Sequence, residues 1–190
     1  MTIRKTEDCF RALIHWGLLF CFTSSCSAAQ QSPTTTQNSC RRFVQNFYDW
    51  YVPEAIRESD TSASDLAIKQ KSAAFSPELL RELKQDSQAQ AKTKGQIVGL
   101  DFDPFLNAQD PSSRYVVGKI NASANKCLAE VYSVSSGKKS ANTEVTPELV
   151  LKTGHWVFIN FHYGKTKGLE DENLVSTLEK LQADRQKYSK

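Results

Sequence analysis

The chain has 190 residues, with 24 Lys and Arg against 21 Asp and Glu, and a formal charge of +3. That near balance, with no basic stripe interleaved with aromatics, argues against a nucleic-acid partner. A body of about 150 residues is one domain's worth of chain and buries roughly 70% of its extended surface, so it does not need disulfides to fold.

Arg4, Lys5 and Arg11 precede an apolar run from Ala12 to Phe22, and the small residues Ser24-Ser25-Cys26-Ser27-Ala28-Ala29 follow. A basic start, a short apolar core and a small-residue exit predict a secretory signal peptide over residues 1–29. The run is too short for a bilayer span, which takes about 20 residues. Ser27-Ala28-Ala29 fits cleavage before Gln30. Lipidation of Cys26 is the alternative, and the only membrane attachment expected. The predicted location is periplasmic or secreted, or lipid-anchored in the cell envelope. Loss of residues 1–29 removes three basic and two acidic residues, leaving +2. The polar residues 30–38 read as a disordered linker, and 39–190 as a single domain.

Of the five cysteines, only Cys40 and Cys127 lie in that domain. In an oxidising compartment such a pair suggests one disulfide, with two separate buried thiols as the alternative. Ser39 is a candidate N-cap for a first helix. There Phe43, Val44, Phe47, Trp50 and Tyr51 make one apolar stripe at helical period, and Pro53 is expected to end it. A short second helix is expected near 65–72. Ser76-Pro77-Glu78 predicts the start of a third, with Leu79, Leu80 and Leu83 on its buried face, fraying through 85–94.

After Gly95 the period changes. Asp103-Pro104 and Asp110-Pro111 are turn signals. Residues 115–120, 126–134 and 155–163 are rich in β-branched and aromatic residues and read as strands, with a hairpin turn around Gly137. In the last strand, simple alternation sends His155, Val157, Ile159, Phe161 and Tyr163 to one face. Trp156, Phe158, Asn160 and His162 go to the other. A final helix is expected over 170–187, with Asp171 and Glu172 in its first turn. Helices packed on an antiparallel sheet make the fold class α+β.

Four segments carry a family resemblance: residues 43–51 (FVQNFYDWY), residues 76–80 (SPELL), residues 100–105 (LDFDPF) followed by Ala108-Gln109-Asp110, and residues 156–163 (WVFINFHY). In this order they resemble the DUF3828 family of exported bacterial proteins. The resemblance implies helices on a strongly curved antiparallel sheet of the NTF2-like or cystatin-like kind. It implies no catalytic residue.

No Gly-rich phosphate loop and no nucleophile elbow is present, and neither cofactor nor metal is expected. Asp101, Asp103 and Asp110 lack the spacing of a calcium loop. The expected function is non-enzymatic binding of a small ligand or of an envelope or secreted protein partner, an inhibitor or immunity protein being one form of the latter. Its candidate residues are Trp156, Asn160, His162, Asp101 and Asp103. Asn160 is the best placed to orient a ligand, because an amide both donates and accepts. The alternative is an NTF2-like enzyme with an Asp/His acid–base pair in the hollow of the sheet.

Overall fold

The computed structural model describes residues 33–93, 95, 97–164 and 172–188. The signal peptide expected over 1–29, with Cys26, lies outside the described residues. The described residues form an α+β domain: α1 (Pro33–Ala55), α2 (Ala63–Gln70), a 3-10 turn (Ser72–Ala74), α3 (Pro77–Lys92), β1 (Arg114–Ala122), β2 (Lys126–Ser135), β3 (Lys138–Lys139), β4 (Val145–Lys152), β5 (His155–Tyr163) and α4 (Leu174–Tyr188). The sheet is antiparallel in the order β1-β2-β4-β5, with β3 added to β2.

Helix α1 is longer than expected at both ends. It opens at Pro33, so residues 33–38 of the linker expected over 30–38 are helical, and residues 30–32 lie outside the described residues. Ser39 is therefore not a cap; its hydroxyl donates back to the Thr36 carbonyl at 2.9 Å. Pro53 does not stop the helix, which runs to Ala55, and the Ile56 N–H still bonds the Val52 carbonyl. Proline removes one N–H bond at an exposed position, while Tyr51 and Val52 on the other side are held in the core. Thr36, Cys40, Val44, Phe47, Tyr48, Tyr51 and Val52 are buried at helical spacing along one face.

That face meets the sheet through aromatic rings. Phe47 stacks or crosses Tyr51, Phe75, Phe105 and Phe158 at centroid distances of 5.4, 5.9, 5.6 and 4.9 Å. The Cys40–Cys127 disulfide ties α1 to β2 inside this core, and both cysteines are buried. Gln45 also covers the free edge of β1. Its Oε1 accepts from the Val117 N–H at 2.9 Å and its Nε2 donates to the Tyr115 carbonyl. Arg41 donates to the Val117 carbonyl at 2.8 Å. Over Tyr115–Val117 the edge is therefore occupied and not open to pairing with another chain.

Strand β4 was not among the expected strands. Pro147 within Val145–Lys152 argues against a central strand, since it has no N–H to give the ladder. The sheet accommodates it where the β2–β4 ladder is interrupted, between the Leu128↔Glu148 and Val131↔Val145 pairs. The two-residue turn Thr153-Gly154, both at positive φ, then returns the chain into β5.

β5 carries a bulge opposite Glu148/Leu149. One extra residue there reverses the alternation of side chains beyond it. Trp156 and Phe158 before the bulge, and Phe161 after it, are all buried, whereas His155 is exposed. This corrects the expected division of the strand into two faces. The free edge of β5 is covered as well. Ser76 N–H bonds the Phe158 carbonyl and Tyr163 N–H bonds the Glu172 carbonyl.

The other helices lie close to their expected places. Ser62 caps α2, accepting from Asp65 N–H at 3.1 Å, and the helix spans 63–70 rather than 65–72. Ser76 caps α3, accepting from Leu79 N–H at 3.2 Å, and α3 holds to Lys92 instead of fraying from 85. Helix α4 begins at Leu174, so no acidic residue lies in its first turn. Leu174 and Leu178 bury its inner face.

Candidate functional site

The helix side of the sheet is filled. Phe75, Phe105, Phe158 and Phe161 pack there at centroid distances of 5.0–5.8 Å. An open cleft of ≈ 680 Å³ lies elsewhere, against the C-terminal end of α1, α2, α3 and the loop from Ile97 to Pro111. Its apolar lining includes Ile68, Leu83, Ile97, Leu100 and Phe102, and its carboxylates are Glu54, Asp65, Asp86, Asp101 and Asp103. Arg57 is the one basic residue among the lining side chains.

Each carboxylate is held differently. Glu54 pairs with Arg57 at 2.8 Å. Asp86 pairs with Arg185 at 2.6 Å. Asp65 accepts from the hydroxyls of Ser62 and Ser87 at 2.8 and 2.6 Å. Asp103 accepts from the Tyr51 hydroxyl at 2.7 Å and from the N–H groups of Phe105 and Leu106 at 2.9 and 3.0 Å. Asp101 is exposed. Ion pairs engage two of the five carboxylates, and among the described residues Asp65, Asp101 and Asp103 have no basic partner.

Asp103 organises the loop below the cleft. Besides its side-chain bonds, its N–H and carbonyl bond Ala108 and Asn107, closing a compact turn that buries Phe105 and Leu106. Tyr48 and Tyr163 donate to the carbonyls of Phe105 and Pro104 at 2.8 and 3.2 Å. Burial pushes the Asp103 carboxyl above its ordinary range, against the opposing pull of the Tyr51, Phe105 and Leu106 bonds. Burial, and then the Asp103 charge, push the Tyr48 and Tyr51 hydroxyls well above theirs.

The five residues expected to form the site are not brought together. Asp101 and Asp103 line the cleft. Trp156 is buried, and its indole N–H donates to the Ser39 hydroxyl at 3.0 Å. Asn160 accepts from the N–H groups of Phe161 and Val175 at 2.9 and 3.2 Å and donates to Asn173 at 3.0 Å. It ties the bulge of β5 to the start of α4, a structural task that engages both ends of its amide. His162 is 3.0 Å from Glu148 on the neighbouring strand, a carboxylate other than the Asp101 or Asp103 that the enzyme alternative would pair with a histidine. Among the described residues no group of three or more His, Cys, Asp or Glu side chains is placed to hold a metal ion.

Sequence reasoning missed Asp65, Asp86 and Phe102. Asp86 left a signal: it follows Leu79 and Leu83 on the same helical stripe, a charge where the pattern asks for an apolar residue. Among the described residues, no helix is long and apolar enough to cross a membrane. Compared with known proteins, the chain matches no family model, no curated protein and no solved structure.

Proposed function

We propose that the protein is an exported, non-enzymatic binding domain whose ligand is a small amphipathic molecule carrying an amine, taken up in the cleft of α1, α2 and α3. The observation that carries this reading is where the large apolar side chains are exposed. Among the described residues these are Ile97 at 73%, Ile56 at 51% and Leu128 at 37%. Ile97 lines the cleft, and Ile56 stands between the lining residues Ala55 and Arg57. Apolar lips around carboxylates suit a ligand with an apolar body and a cationic end. The volume is within the 300–1,000 Å³ or so of small-molecule sites.

Export is supported by the basic–apolar–small order of residues 1–29 and by the buried Cys40–Cys127 disulfide. The layered arrangement, with bulges in β1 and β5 that bend the sheet, supports the NTF2-like or cystatin-like reading and, with the ordered motifs, kinship to DUF3828. Amide chemical shifts during titration with phenethylamine, and with 3-phenylpropionate as the oppositely charged match, test the ligand class. The amine is expected to move residues 61–68 and 97–103, and the acid to move neither. Equal responses to both, or no response to the amine at millimolar concentration, would overturn the proposal.

A further inference from the structure

One wall of the cleft is a strap, residues 97–103, and its first part is held by polar side chains. Gln90 Oε1 accepts from the N–H groups of Val98 and Gly99 at 2.9 and 3.1 Å. Asp86 Oδ2 accepts from Leu100 N–H at 3.0 Å. Arg185, in the last turn of α4, donates to Asp86 Oδ1 at 2.6 Å and to the Val98 carbonyl at 2.9 Å. The strap lies flat on the Asp86 carboxylate. A Cβ added to Gly99 would come within 2.8 Å of Asp86 Oδ2, so glycine is what permits the close approach. Asp86 itself is only 5% exposed.

Little apolar burial supports this arrangement. Ile97 stands in solvent and Leu100 is half-buried. A segment fixed by a few polar bonds and little burial belongs to the low-stability end of a fold, where local opening precedes global unfolding. Removing one partner of a buried ion pair leaves the other charge uncompensated, and that charge then draws water into its place. Gln90 and Asp86 belong to α3, but Arg185 belongs to α4, whose buried leucines, Leu174 and Leu178, lie near its opposite end.

We propose that Arg185 is a latch: by clamping Asp86 and Val98 together it sets the cleft wall, so that loosening the end of α4 opens the cleft. The proposal rests on the reading of the cleft as the ligand site. Its test, however, needs no ligand. Hydrogen exchange of the full chain is measured by NMR at Val98, Gly99 and Leu100, and at Val131 and Leu149 in the sheet. Arg185→Met is expected to speed exchange at the three strap amides at least tenfold and to leave the two sheet amides unchanged. Gly99→Ala is expected to do the same with Arg185 in place, because the added methyl lifts the strap off Asp86. Unchanged strap exchange in Arg185→Met would overturn the latch. So would an equal rise at the sheet amides of both variants, which would make the contact a support of the whole fold. Arg185→Lys keeps a charge without the two-pronged geometry and is expected to fall between wild type and Arg185→Met. Should the methionine variant not fold, strap exchange in the lysine variant decides: a selective rise upholds the latch and wild-type rates overturn it. A failed amine titration with strap exchange that responds to Arg185 counts against the ligand class alone.

Discussion

The inner face of the sheet and the cleft beside the helices are built in opposite ways. The inner face of the sheet is covered by the aromatic face of α1, which meets Tyr115 of β1, Cys127 of β2 and Phe158 of β5. Its polar groups are few, and each has a partner in the core, as the Trp156 indole has in Ser39. The cleft beside α2 and α3 is walled by helix ends and a strap, with carboxylates among apolar residues and the exposed Ile97 in its lining. A sheet's hollow becomes a site only when its helices leave room, and here Phe47, Phe75, Phe105 and Phe158 take the room. The proposed binding chemistry then falls to the surface where chain segments meet without a shared apolar layer.

The largest effect should come from the disulfide, which belongs to the filled half alone. Replacing both Cys40 and Cys127 by Ala reopens a connection of 87 residues. On chain-entropy grounds that costs about 4–5 kcal/mol. Denaturant unfolding should show the loss, and the melting temperature should fall by roughly 10 °C or more. Amide shifts around the cleft should stay near their wild-type positions below the transition. A collapse of the cleft in the still-folded variant would show that the two halves are not separable.

Asp103 lies where the halves touch, so it sharpens the comparison. Asp103→Ala leaves the N–H groups of Phe105 and Leu106 and the Tyr51 hydroxyl without their acceptor. The expected cost is roughly 2–4 kcal/mol. Asp103→Asn keeps an oxygen for the two N–H groups and turns an amide toward Tyr51, whose hydroxyl can accept, so it should cost far less. The pH dependence separates the charge from the geometry. The folded carboxyl titrates above the unfolded one, so the folded state holds the proton longer. Its contribution to stability is therefore best below the unfolded value and declines as pH rises through the folded value. Asp103→Asn should remove that decline from an unfolding series run upward from about pH 4, the unfolded value. At the alkaline end the sign is again a loss with rising pH, from about pH 10, because Tyr48 and Tyr51 stay neutral in the fold after the unfolded chain has begun to ionise.

Much of the filled half was legible in the sequence, because its signals are periodic. The stripe through Val44, Phe47 and Tyr51 and the Ser76-Pro77 start each followed from spacing or a cap. Helix α1 outran both of its expected boundaries, since Ser39 and Pro53 are local signals and the packed face on either side outweighs them. β4 escaped because Pro147 speaks against a central strand, and an interrupted ladder is not visible in a linear pattern. The cleft was scarcely legible. Of its lining, only Asp101 and Asp103 were singled out as site residues. Asp65, Asp86 and Phe102 meet there because of how α2, α3 and the strap pack, and no spacing encodes that. The bulge in β5 did the most damage to the functional expectation. One extra residue moved the strand's polar and aromatic groups off the faces that simple alternation assigns them.

Asn160 gives the smallest of these effects and the sharpest division between a ligand-orienting amide and a structural one. It sits at that bulge. Its oxygen accepts from Phe161 N–H on its own strand and from Val175 N–H in the opening turn of α4. Its Nδ2 donates to Asn173, whose Oδ1 also accepts from Ser176 N–H, so two amides share the capping of one helix. Asn160→Ala removes one of the two caps and leaves a half-buried N–H on β5 without its partner. The expected loss is about 1–2 kcal/mol, a melting temperature lower by a few degrees, and faster exchange at Val175. Amine titration of the cleft should be unaffected, because Asn160 is not among its lining residues. A variant that melts like the wild type but no longer binds the amine would reverse the comparison, returning the ligand to β5 and leaving the cleft without a role.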